Sequence, residues 1–124
     1  MNLLEIASSN QNVYLNQFQL KISEIDCGII FLYCSWAYVE TQFLNILELQ
    51  KKFSSINLYI FDIEQDELFL NYMLSNQIKS HGNGETYWIA KGKIIYRILK
   101  YHSPDDLKIA EKYSELLEGT CNNR

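Results

Sequence analysis

Proline occurs once and glycine five times in 124 residues, which leaves little material for long linkers. Basic residues are also short. Eleven Lys and Arg face fifteen Asp and Glu, a net charge of −4. That balance argues against nonspecific binding to nucleic acid or to an anionic membrane, since both need a basic face. No apolar run approaches the ~18 residues of a membrane-spanning helix. The N-terminal MNLLEIASSN has no basic residue ahead of its apolar run and carries Glu5 inside it, a poor fit to a secretory signal. The expected compartment is the cytoplasm. Cysteine is scarce too. Cys27, Cys34 and Cys121 are an odd number with no C-x-x-C pair, which argues against disulfide scaffolding and against a four-ligand zinc site. No metal or cofactor is expected.

Apolar residues make up 48% of the chain and aromatics 14%, enough for one well-filled core. No repeat or composition break divides it. A single domain over residues 1–119 is expected, with a flexible tail at 120–124.

The segments alternate. Leu3 to Ala7 reads as a short strand. Tyr14, Phe18, Ile22 and Ile25 follow helical spacing, with Asn10 or Asn12 as cap. GIIFLY (28–33) and NLYIFDI (57–63) read as strands buried on both faces, as in a parallel sheet. Between them Val39, Phe43, Ile46, Leu47 and Phe53 mark a helix, with Lys51 and Lys52 suiting its C-terminal dipole. Leu68, Tyr72 and Ile78 mark another, roughly Asp66 to Gln77. TYWIA and KIIYRIL form a hairpin across Lys91-Gly92. Ser103-Pro104-Asp105-Asp106 starts a last helix that Gly119 ends. The order is β-α-β-α-β-α-β-β-α, an α/β fold with a mixed central sheet and helices on both faces.

Three stretches carry a resemblance. YCSW (33–36) resembles the aromatic-x-x-Trp run ahead of a thioredoxin redox motif. FDIEQDE (61–67) resembles the end of the central strand, and TYWIAKGKI (86–94) the strand, turn and strand after the family's cis-proline. The whole order from Leu3 to Gly119 looks like the thioredoxin fold. The departures from that pattern concern its chemistry. The two redox cysteines would fall at Ala37 and Glu40, and neither residue can attack or resolve a disulfide. The cis-proline would fall at Glu85, where a trans bond is expected. The buried acid and its lysine neighbour would fall at Phe31 and Ile60, both apolar. The glycine usual after the last strand would fall near Lys100.

The resemblance therefore implies a redox-inactive thioredoxin-fold protein, not an enzyme. It would act as a protein-binding or chaperone-like module through the former active-site surface: Trp36, Tyr38, Glu40, Glu85 and Thr86. A hydrophobic anchor with an acidic rim favours a basic or apolar segment of another protein or peptide. The alternative is a monothiol oxidoreductase or thiol-transfer enzyme using Cys34, activated by the nearby helix N-terminus. Against it, a buried cysteine behaves as a small hydrophobe. A third reading is homodimerisation through the aromatic surface. Glu40 and Glu85 are expected as neighbours, with His81 close in sequence to Glu85. They either form a site or stand as a helix-start charge and a loop charge in water. Asp62, Glu64, Asp66 and Glu67 resemble a calcium loop only loosely, because the required glycine is missing.

Overall fold

The computed structural model of the chain describes residues 2–122. Helix α1 spans Leu3–Ser9, strand β1 Val13–Leu15, β2 Cys27–Tyr33, α2 Glu40–Lys52 and β3 Asn57–Asp62. Helix α3 spans Asp66–Asn76, β4 Thr86–Ala90, β5 Lys93–Ile98 and α4 Asp105–Asn122. The five strands form one sheet in the order β1-β3-β2-β4-β5. Strands β1, β3 and β2 run parallel, while β4 is antiparallel to β2 and β5 to β4.

The apolar run at β2 is buried along its whole length, as a strand covered on both faces must be. Alternation then divides the core. Ile29, Phe31 and Tyr33 face one cluster with Leu58, Ile60 and Trp88, while Ile30 and Leu32 face the other with Phe61, Tyr87 and Ile89. The first cluster takes Phe43 and Ile46 of α2, Ala110 and Leu117 of α4, and the inner side of α1. The second takes Phe69 and Tyr72 of α3 and the segment at Phe18–Ile25. Trp88 fastens α4 to the sheet: its indole donates to Ser114 Oγ at 3.0 Å, and Ser114 donates to the Ala110 carbonyl at 2.9 Å.

Two expectations fail in the first third. Residues 3–9 are helical, not a strand. Asn2 caps them by accepting from the Glu5 amide at 3.0 Å, and Leu3, Ile6 and Ala7 meet the core at helical spacing. Residues 13–15 are a strand where a helix was expected. The spacing of Tyr14, Phe18, Ile22 and Ile25 mimics a helix, but Asn12 and Asn16 have φ of 64° and 54° and break the chain at either side of Val13–Leu15. Only a 3₁₀ turn at Ile22–Glu24 remains of the expected first helix. The elements from β2 to β5 lie within a residue or two of the expected bounds.

The C-terminus also differs. Helix α4 passes through Gly119 to Asn122, so residues 120–122 are not a free tail; Asn123 and Arg124 lie outside the described residues. Cys121 is buried and forms a disulfide with Cys27, the first residue of β2. The expectation of no disulfide is overturned. The partners are 94 residues apart in sequence, and no local motif announces such a pairing.

Candidate functional site

The parallel strands β2 and β3 end side by side, with Tyr33 opposite Asp62. Strand β4 is antiparallel and begins at the same end. Three connections therefore meet there: residues 34–39, 63–65 and the loop 77–85. Ligand sites of open α/β sheets form at such strand ends.

The 34–39 connection is a tight turn. The Ala37 amide donates to the Cys34 carbonyl at 3.3 Å and the Val39 amide to the Ala37 carbonyl at 2.9 Å. This turns two aromatics outward: Trp36 is 68% exposed and Tyr38 fully so. Cys34 takes the opposite course. It is wholly buried, and burial pushes its thiol pKa above the ordinary value. The Trp36 and Ala37 amides pull it down and the Glu64 and Glu85 carboxylates push it up, both less than burial does.

The loop 77–85 closes on the turn. Gly82 has φ of 74° and lies beneath the Trp36 ring, where an added Cβ would sit 2.6 Å from Cη2. Gly84, at φ 70°, packs on Phe31 and Val39. Glu85 holds the loop from inside. It is 1% exposed, and its carboxylate accepts from the His81 amide, the Asn83 amide (3.2 Å) and Ser80 Oγ (3.4 Å). The expected loop charge in water is thus a buried clamp. Thr86 is also buried. Its hydroxyl donates to the Gly84 carbonyl at 2.9 Å and lies 2.7 Å from the Tyr101 hydroxyl. No peptide bond among the described residues is cis, so the chain enters Glu85 in trans.

Between Trp36, the 80–82 loop and α3 runs an open groove of about 690 Å³. Ile63, Phe69, Leu70 and Met73 give it apolar walls, and Asp66 and Glu67 stand at the start of α3 beside it. The exposed Leu74 (70%) extends the apolar face along α3.

Of the five expected binding residues, Trp36 and Tyr38 share the exposed turn. Glu85 and Thr86 are interior. Glu40 opens α2 and lines one cleft, and Glu85 borders another. The α3 wall was missed, though the sequence carries a signal for it. DELFLNYML is apolar on every side: Phe69 and Tyr72 serve the core, which leaves Leu68, Leu70 and Leu74 without a core role.

No family model and no curated protein sequence matches the chain. Solved structures do. Oxidised thioredoxin O2 from Arabidopsis thaliana is similar at a TM-score of 0.70 and 15% identity, covering 86% of this chain and 95% of that one. Thioredoxin O1 from the same plant is similar at 0.60 and 16% identity, covering 81% and 95%. Reduced desulfothioredoxin from Desulfovibrio vulgaris Hildenborough is similar at 0.58 and 10% identity, covering 78% and 92%. At these identities the likeness is one of architecture: the chain has the α/β thioredoxin-like fold, with a mixed five-stranded sheet and four helices.

Proposed function

We propose that the chain is a redox-inactive protein-binding module that holds a segment of another protein in the groove between Trp36 and α3. The observation that carries this reading is the pairing of an exposed aromatic turn with a buried thiol. Trp36, which lines the apolar groove, and Tyr38 on the same turn are offered to solvent, while Cys34 is sealed in the core. Exposed aromatics beside a pocket are the usual anchors of an interface. Asp66 and Glu67 at the groove favour a partner segment that is apolar with basic flanks. Monothiol chemistry at Cys34 draws no support from this geometry, because a nucleophile needs access and a lowered pKa.

The disulfide also bears on the compartment. Among the described residues no helix is long and apolar enough to cross a membrane. Disulfides such as Cys27–Cys121 persist in oxidising compartments and are rare in the cytosol, which favours an oxidising setting over the cytoplasmic expectation.

A photo-reactive amino acid placed at Tyr38 tests the binding reading in the source cell. It is expected to capture a discrete set of proteins, or a second copy of the chain if the module is a homodimer. The same probe at Lys112, exposed on α4, captures none of them. Leu70→Asp is expected to abolish capture and shift stability by no more than about 0.5 kcal/mol, as a surface change should. Equal capture from both positions, or capture unaffected by Leu70→Asp, contradicts the reading.

A further inference from the structure

Helix α4 ends in a way that its local sequence does not favour. Glycine just past an apolar stripe is the ordinary place for a helix to stop, yet α4 runs through Gly119 to Asn122. A glycine inside a helix weakens it about fivefold relative to alanine. No packing asks for glycine here: a Cβ at Gly119 would meet nothing within 4 Å. The last turn also carries no basic side chain to suit the helix dipole.

The earlier turns of α4 are anchored without sulfur. Ala110, Ser114 and Leu117 are buried, and Ser114 accepts from the Trp88 indole. Beyond Leu117 the only buried side chain among the described residues is that of Cys121, while Gly119, Thr120 and Asn122 are exposed. Thr120 Oγ1 donates to the Leu116 carbonyl at 3.0 Å, a bond inside the helix that gives no hold on the sheet. Ser55 Oγ donates to Glu118 Oε2 at 3.3 Å, but that bond is exposed and lies ahead of Gly119. The Cys27–Cys121 bond is the covalent tie that carries the last turn onto the sheet. Its other end is secure. Cys27 pairs with Ala90, and the neighbouring Asp26 carbonyl accepts from the Lys91 amide at 2.8 Å.

We infer that the Cys27–Cys121 bond is a redox switch on the length of α4, opened by a dithiol reductant, and that Cys121 is the thiol it masks. Oxidised, α4 runs to Asn122. Reduced, it ends at Gly119, and Cys121 leaves the core. The switch lies at the start of β2, away from the strand end that carries the groove, and does not rest on the binding reading.

The exchange falls on Cys121 Sγ, the sulfur on the weaker element. A thiolate of the reductant attacks it and forms a mixed disulfide, and Cys27 leaves as a thiolate that takes up a proton. The second thiolate of the reductant then attacks the reductant's own sulfur in that mixed disulfide, and Cys121 leaves and is protonated in turn. The dithiol is oxidised to a disulfide, and two electrons and two protons pass to the cysteine pair.

Dithiothreitol treatment of the full chain under native conditions, then brief alkylation read by peptide mass spectrometry, tests this. Cys34 reports global unfolding, because it is wholly buried. In the reduced, folded protein Cys121 is expected to label at least about tenfold faster than Cys34 and Cys27, as local opening of a helix end requires. Gly119→Ala has room for its methyl and favours the helix, so it is expected to slow the labelling of Cys121 about fivefold. The inference is overturned if dithiothreitol leaves the bond intact in the folded chain, if all three cysteines label at one rate, if Cys121 stays as protected as Cys34, or if Gly119→Ala labels as the parent does.

Discussion

Replacing Cys27 and Cys121 together with alanine is expected to lower the stability of the domain by about 2–5 kcal/mol. The bond closes 94 residues of sequence separation, which ties the first residue of β2 to the last turn of α4. In the chain-entropy model a loop near that length confines the unfolded chain by about 4–5 kcal/mol. Whole domains are stable by about 5–15 kcal/mol, so this one bond is a large share. Both sulfurs belong to the main core cluster, and two alanines there add a smaller loss of packing. The two single variants and the double variant should cost nearly the same, because each removes the same bond. Denaturant unfolding of the three variants, with and without reductant, measures this. Reductant should bring the parent down toward the variants and leave the double variant unchanged. A double variant within about 0.5 kcal/mol of the oxidised parent would show that the bond carries no stability.

Glu85→Ala has the second large effect, an expected loss of about 2–4 kcal/mol. The carboxylate is buried and satisfies the His81 and Asn83 amides and the Ser80 hydroxyl. Alanine leaves those donors without a partner in a buried place, which costs more than the bonds themselves contribute. The backbone carbonyl of Glu85 still accepts from the Leu32 amide at 3.0 Å, so β4 keeps its place on β2 while the loop loosens. The consequence reaches the groove, because Ser80, His81 and Gly82 form one of its walls and Gly82 lies against Trp36. Glu85→Gln should fall between parent and alanine, since its amide oxygen still accepts but its NH₂ faces donors. Hydrogen exchange at His81 and Asn83, read beside the melting curve, checks this. Unchanged exchange at both amides in Glu85→Ala would rule out the clamp.

The sequence was most legible where burial on both faces left no choice. GIIFLY and TYWIA are buried along their whole length and NLYIFD at Leu58, Ile60 and Phe61, and each is a strand in its expected place. Helices α2 and α4 showed their stripes because one face is solvated. The N-terminal third was misread for a physical reason: LLEIA is too short for its period to separate helix from strand, and VYL carries only three residues of strand between two left-handed asparagines.

The site was half legible. Trp36 and Tyr38 could be placed on a turn because a buried strand ends just before them. Glu85 could not be placed inside, since its partners are amides of its own loop and a charged residue in SHGNGE reads as solvated.

The central claim is that this strand end binds and does not perform thiol chemistry. Alkylation of each cysteine in the native, oxidised protein across pH, read by peptide mass spectrometry, tests it most directly. Cys34 is expected to stay unlabelled at every pH at which the fold persists and to label only on unfolding, because it is buried and burial raises its pKa. Rapid labelling of Cys34 in the folded protein well below the ~8.5 of a free thiol would contradict the account and return the site to thiol catalysis.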